Sequence, residues 1–314
     1  MLRHVLPFAF TAWILIETGC TSSHSPAQPV ASPDASAAAE SMPDRLDIHG
    51  HRGARGLLPE NTIPGFVLAL REGADVLEMD LCISGDNQVI VSHEPWMSHH
   101  ICRTPDGRDI LEAEERSFNL HTMTAGEIKR FDCGMRPYTR FPTQRHLPAY
   151  KPILAQVVDV VETVPLLDGA PVRYNLEIKH DPALTPEFCP DAATFARLVI
   201  AEVERLGIAD RTCIQSFSAP ALEAVHQQAP AIATAWLVDS DGTVDAQLAK
   251  LTFQPDIYSP NWTRITAKDV NQLQNMGIQV VPWTVNEGAD LFAVMQMGVD
   301  GIITDYPDRL YEMR

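Results

Sequence analysis

Glu78 and Asp80 stand two positions apart in the run VLEMDLCI, and Glu177 and Lys179 stand two apart in YNLEIK. On an extended strand residues i and i+2 share a face, so each pair points one way. Three carboxylates gathered inside apolar strands cannot all remain ionised without a compensating cation. Oxygen ligands with no thiolate and no histidine cage suit one hard divalent ion, Mg²⁺ or Ca²⁺. Any one of these acids alone reads as an exposed strand carboxylate paired with Lys or Arg; their joint placement points to a metal. His51 and His93 each lie just past a strand, where either could act as general acid or base near neutral pH. Arg52 offers a fork for phosphate oxygens and Lys179 a point charge. The chain has 11 histidines, and His99, His100, His121, His146, His180 and His226 are read as background.

The elements that must position these groups follow from periodicity. Short apolar, β-rich runs at 46–49, 75–83, 172–178, 212–217, 233–238, 257–259, 278–285 and 301–304 read as strands, with 88–92 extending the second. Helical patterns at 63–71, 192–206, 219–228, 246–251, 267–276 and 288–297 separate most of them, the first capped by Asn61-Thr62 and closed at Gly73. Eight strands alternating with helices predict an α/β fold, a (β/α)8 TIM barrel. The chemical residues fall at strand ends, as a barrel site requires: His51-Arg52-Gly53 after the first, His93 after the extension, Gln215-Ser216 at the end of the fourth. Residues 94–148, rich in Pro, Arg, Asp and Gly, carry no β run. They read as an insertion after the second strand, on the catalytic face, and as a candidate lid or substrate-selecting wall.

Residues 1–19 have the layout of an export signal, a basic start followed by an apolar run from Val5 to Ile16 that is too short for a spanning helix. Thr18-Gly19-Cys20 resembles the end of a lipobox, although Glu17 stands where an aliphatic residue is usual; lipidation of Cys20 would tether the protein to a membrane. Residues 20–43 are Ser, Ala and Pro with few large apolar side chains and read as a flexible tether. Residues 44–314 have the length of one large α/β domain. The expected location is therefore exported and periplasmic, with a membrane anchor if Cys20 is lipidated. The formal charge of -17 makes nucleic acid a poor partner, whereas a small anionic substrate remains compatible with a metal and local basic residues. With Cys20 set apart, five cysteines remain, an odd number, and Cys102 with Cys133 is the expected disulfide. No Cys/His spacing suggests zinc.

His51-Arg52-Gly53, Pro59-Glu60-Asn61-Thr62, Glu78-Met79-Asp80, Ser92-His93-Glu94 and Leu176-Glu177-Ile178-Lys179 resemble successive motifs of the glycerophosphodiester phosphodiesterases. So do Gln215-Ser216-Phe217, Trp283-Thr284-Val285-Asn286 and the run from Asp300 to Pro307. Each motif alone is weak; their shared order from about Asp47 to Leu310 is specific. The resemblance implies a divalent cation held by Glu78, Asp80 and Glu177, with Glu60 and Asn61 as further ligands or supports. It implies His51 and His93 as the acid/base pair, Arg52 and Lys179 on the phosphoryl oxygens, and Gln215 and Trp283 toward the substrate. The reaction implied is hydrolysis of glycerophosphodiesters to sn-glycerol 3-phosphate and an alcohol. That chemistry needs its negative charge neutralised and its leaving oxygen protonated, and these residue types supply both.

The sequence departs from the family pattern near the insertion. Leu147-Pro148-Ala149-Tyr150 precedes Lys151-Pro152-Ile153-Leu154 where a single Ile-Pro-Thr-Leu-like segment usually starts the next helix. Trp283 also reads as a barrel-core aromatic, and Gln215 as the closure of a buried hydrogen-bond network. Two rival functions stay open: the same site acting on lysophospholipids or intact lipid head groups, which an apolar groove beside the metal would favour, and a non-catalytic periplasmic or surface binding lipoprotein.

Overall fold

The computed structural model describes residues 45–167 and 169–314. The expected signal, the tether and Cys20 lie outside the described residues.

From the N-terminus of that part, the chain runs β1 (Asp47–Gly50), α1 (Ile63–Arg71), β2 (Val76–Ile83), β3 (Val89–Val91), α2 (Ala125–Ile128), α3 (Leu154–Val161) and β4 (Arg173–Ile178). It continues with α4 (Ala192–Arg205), β5 (Thr212–Ser216), α5 (Ala219–Gln228), β6 (Ala233–Val238), α6 (Val244–Leu248) and β7 (Ile257–Pro260). α7 (Ala267–Asn275), β8 (Gln279–Val280), α8 (Gly288–Met295), β9 (Gly301–Thr304) and α9 (Pro307–Met313) complete it. The sheet order is β8-β7-β6-β5-β4-β2-β1-β9, with β3 antiparallel on β2. Backbone hydrogen bonds from Asp300 to Val280, Ile303 to Pro282 and Val285 to Ile303 join the two ends of that order. The result is an eight-stranded parallel barrel ringed by helices.

Parallel strands covered by helices are buried on both faces, which is why β2 is buried at every position and reads as an almost continuous apolar run. Against that background Glu78 and Asp80 are the exceptions. The strand expected over 278–285 is regular only at Gln279–Val280, because Pro282 has no N–H for the ladder. Its path nevertheless continues, since Val281 and Trp283 donate to Tyr258 and Pro260 of β7. α3 and α9, not assigned from the sequence, occupy the two remaining helical places; α3 begins at Leu154 with Ile153 as its cap, so the second of the two Pro segments starts it.

Residues 94–148 form no named strand and carry a small core of their own. Met97, Cys102, Ile110, Leu120, Ile128, Phe131 and Cys133 pack on Cys82 and Ile90 of the sheet. Cys102 and Cys133 are disulfide-bonded, and Cys82, Cys189 and Cys213 are free thiols. The end of this segment docks on the loop between β1 and α1, where Gln144 Nε2 donates to the Arg55 and Leu58 carbonyls at 2.6 and 3.1 Å.

Candidate active site

Parallel pairing decides which side chains meet. β2 and β4 align Asp80 with Glu177, and β4 and β5 align Glu177 with Gln215. Glu78, Asp80 and Glu177 are buried, and each offers a carboxylate oxygen within 4.8 Å of the others. Glu177 sits at the C-terminal end of β4, and Glu78 and Asp80 lie beside it within β2. Glu78 and Glu177 border a cavity of ≈ 170 Å³ together with His51, Arg52, His93, Lys179 and Trp283.

The loop after β1 folds its motif around these acids. Arg52 has φ 50, an uncommon left-handed conformation for a side chain of this size, and Gly53 follows at φ 84. A Cβ on Gly53 would meet the Gly65 carbonyl carbon at 2.7 Å, so only glycine lets the loop close against α1. This backbone turn aims the Arg52 N–H at Glu78 Oε2, 2.8 Å away. The Arg52 guanidinium donates through Nη1 to Glu60 Oε1 at 2.8 Å, and its Nε lies 3.1 Å from Asp80 Oδ2. Arg55 takes the other oxygen of Glu60 at 2.8 Å. Glu60 is thus committed to two arginines and stands outside the three-carboxylate cluster. Asn61, also left-handed at φ 54, donates from Nδ2 to Asp80 Oδ2 at 2.8 Å.

The electrostatics fit a divalent cation. Burial, with Asp80 and Glu177 beside it, pushes Glu78 well above the usual carboxylate range. Burial also raises Glu177, with Asp80 adding to the effect and Lys179 opposing it. Against the same burial, Arg52, His93, Lys179 and the Asn61 amide hold Asp80 well below its ordinary value. Lys179 Nζ donates to Glu177 Oε1 at 2.8 Å and lies 3.7 Å from Asp80 Oδ1. Asp80 Oδ1 has no hydrogen-bond donor although it is buried. An acceptor-only set in which Glu78 and Glu177 resist ionisation and a buried oxygen lacks a donor is what a bound cation would complete.

Both histidines are held through Nδ1 by a carboxylate. His51 Nδ1 is 2.6 Å from Asp305 Oδ1, and His93 Nδ1 is 2.8 Å from Glu94 Oε1. Such a partner fixes the ring and its tautomer and leaves Nε2 for proton transfer. The two settings differ. The Asp305 side chain is fully buried, and Asn286 Nδ2 donates to its second oxygen at 2.8 Å. Burial lowers His51, with Asp305 working against that, whereas against burial His51 and Arg55 hold Asp305 down. The His93 and Glu94 side chains are 31% and 26% exposed, and this pair opens to solvent.

Gln215 is buried, with Nε2 donating to Glu78 Oε1 at 2.8 Å and Oε1 accepting from Asn175 at 3.0 Å. Its polar atoms are engaged by the protein. Trp283 spends its Nε1–H on the Ser259 carbonyl at 2.9 Å and packs edge-on against Phe217, so only its ring is offered to the cavity. Among the remaining histidines, His99 pairs with Glu115, His180 with Ser218, and His226 stacks on Phe253. Asp305, Glu94, Arg55 and Asn286 belong to the site without having been singled out from sequence. Glu94 had a signal, an acid directly after a candidate histidine; Asp305 had none beyond its motif, because its partner lies 254 residues away.

A second cavity of ≈ 510 Å³ continues from the first, sharing His93, Glu177, Lys179 and Phe217. Pro95, Trp96, Pro182 and Leu184 give it apolar walls.

Comparison with known proteins adds three findings. The model of the "Glycerophosphoryl diester phosphodiesterase family" matches residues 51–309. A glycerophosphodiester phosphodiesterase of Bacillus subtilis (strain 168) is 27% identical over 282 residues, covering 87% of each chain. A solved structure from Silicibacter pomeroyi DSS-3, provisionally named a glycerophosphoryl diester phosphodiesterase, superposes with a TM-score of 0.74 at 30% identity over 85% of this chain and 94% of its own. An Oleispira antarctica phosphodiesterase, solved with the product sn-glycerol-3-phosphate, has the same fold, with a TM-score of 0.67 at 20% identity over 85% of this chain and 95% of its own.

Proposed function

The chain belongs to the glycerophosphoryl diester phosphodiesterase family, and on that premise we propose that it hydrolyses glycerophosphodiesters to sn-glycerol 3-phosphate and an alcohol with one divalent cation and a histidine acid/base pair. The observation that carries this reading is the meeting, at one cavity, of three buried carboxylates within 4.8 Å and two imidazoles that each have a carboxylate on Nδ1. Held by Glu78, Asp80 and Glu177, Mg²⁺ or Ca²⁺ would polarise the phosphoryl group. Arg52 and Lys179 balance the charge on its oxygens and orient it. His51, neutral in its buried setting, accepts the proton of the attacking oxygen through Nε2. His93 borders both the catalytic cavity and the adjoining groove, which suits it to protonate the alkoxide departing toward that groove. The presence of every carboxylate, basic side chain and imidazole this scheme needs argues against a binding lipoprotein.

The test is release of glycerol 3-phosphate from glycerophosphocholine by the purified protein, first with chelator and then with Mg²⁺ or Ca²⁺ restored. Release only with an ion supports the scheme; equal release under chelation would refute its metal, and no release under any condition would refute the substrate class.

The apolar groove favours a second reading of the alcohol half, a lysophospholipid whose acyl-bearing portion lies along Pro95, Trp96 and Leu184. A kcat/KM for lysophosphatidylcholine above that for glycerophosphocholine would select it. We further propose export to the periplasm, with residues 1–19 removed, residues 20–43 as the tether and Cys20 as the lipid acceptor. The Cys102–Cys133 bond is in keeping with an oxidising compartment. Metabolic labelling with palmitate that persists in Cys20→Ala would refute the anchor.

A further inference from the structure

A hydrogen-bonded line crosses the barrel interior beneath the carboxylates. His49 on β1, Asn175 on β4 and Gln215 on β5 are each at most 4% exposed. Asn175 Nδ2 lies 3.4 Å from His49 Nδ1 and 3.0 Å from Gln215 Oε1, and Gln215 Nε2 lies 2.8 Å from Glu78 Oε1. The line ends at Glu78, whose other oxygen receives the Arg52 N–H.

Its direction is fixed chemically. With a cation bound, Glu78 is an ionised carboxylate that only accepts, so Gln215 must present its NH₂ to Glu78 and its carbonyl to Asn175. Asn175 must then present its own NH₂, and its two hydrogens meet Gln215 Oε1 and His49 Nδ1. A buried, neutral His49 can supply that acceptor. The arrangement leaves Asn175 Oδ1 buried without a donor. A protein selected for stability alone would avoid such an orphan. Turning the Asn175 amide over would set its oxygen against Gln215 Oε1. On the other side of the interior, Ala235, Ile257, Val281 and Ile303 form an apolar cluster. Polar groups are therefore concentrated on the strands below the acids.

We propose that Asn175 is a positioning residue for the metal centre: it locks the Gln215 amide in the orientation that donates to Glu78, and so holds Glu78 as a fixed, acceptor-only ligand. This rests on the metal reading given under Proposed function. Partners of this kind are worth about 10- to 100-fold in metal affinity.

The experiment is calorimetric titration of Mg²⁺ alone and of Ca²⁺ alone into the full-length chain. In Asn175→Asp the new carboxylate accepts from Gln215 Nε2 and turns Gln215 Oε1 toward Glu78; the ion's Kd should weaken by about 10- to 100-fold. In Asn175→Leu, near in size and uncharged, the Gln215 amide is no longer fixed, and the Kd should weaken by about 10-fold. Thr234→Val removes a buried hydroxyl on β6 that bonds Asp256 outside the line, and should lower Tm while leaving the Kd in place. If Asn175→Asp does not fold, Asn175→Leu decides. A folded variant that binds the ions as the wild type does overturns the role of Asn175 alone. A wild-type chain that binds neither ion overturns the metal reading, and the positioning role with it.

Discussion

Replacing His93 by alanine should separate leaving-group protonation from every other task of the site. His93 borders both the catalytic cavity and the apolar groove, and Glu94 holds its Nδ1 at 2.8 Å. A positioned general acid contributes about 10²- to 10⁴-fold, or roughly 3–5 kcal/mol of barrier at 1.36 kcal/mol per tenfold. On glycerophosphocholine, whose leaving group is a strongly basic alkoxide, His93→Ala should lose that whole factor in kcat/KM. On the p-nitrophenyl ester of glycerol 3-phosphate the phenolate leaves without a proton, and the loss should shrink to less than about tenfold. In the proposed scheme His51 serves the attacking oxygen, so His51→Ala should lose about 10²- to 10⁴-fold on both esters. The assay is steady-state kcat/KM for both substrates and both variants at saturating divalent ion. Equal losses for His93→Ala on the two esters would refute its role as the acid, and rescue of His51→Ala instead would show the two roles reversed.

Asp305→Asn keeps the shape beside His51 but replaces one of two acceptor oxygens by an NH₂; with Asn286 donating to the oxygen that remains, the NH₂ faces His51 Nδ1 and favours the wrong tautomer. The kcat should fall by at least about 10²-fold with little change in Tm, and an unchanged kcat would place Asp305 outside the proton-transfer step. Adding Mg²⁺ or Ca²⁺ at 100 times its Kd should stabilise the fold by about 2.7 kcal/mol, read as a rise in denaturant midpoint that Glu78→Gln largely abolishes; an equal rise in that variant would move the ion elsewhere. Burial holds His49 at about 4, below the 6.5 of an ordinary histidine, with Asp47 opposing the shift. The unfolded chain therefore binds a proton at His49 between these values and the folded chain does not, so stability falls as pH drops through that window. His49 should cost about 2 kcal/mol between pH 7 and pH 5. His49→Gln should flatten the denaturation profile by that amount relative to wild type, and parallel profiles would contradict it.

Alternation of apolar runs with helical periodicity was enough to predict the barrel, because strand and helix periods are local properties of the chain. The same locality predicted that Glu78 and Asp80 share a face, and that Glu177 and Lys179 do. Residue type alone pointed to a hard cation and to imidazole acid/base chemistry. Tertiary pairing decided the rest. Asp80 and Glu177 become neighbours through the β2–β4 register, and His51 meets Asp305 only because β1 pairs with β9 at the barrel's closure, 254 residues apart in sequence. Glu60, which the family resemblance implied as a further ligand or a support, pairs with Arg52 and Arg55, partners that its position in the chain does not reveal. Gln215, read from sequence either as a substrate contact or as the closure of a buried hydrogen-bond network, lines the cavity and bonds Glu78 and Asn175, since in a barrel the inward side chains of adjacent strands meet each other first. Periodicity fixes which way a side chain points; only strand register and closure fix what it meets there.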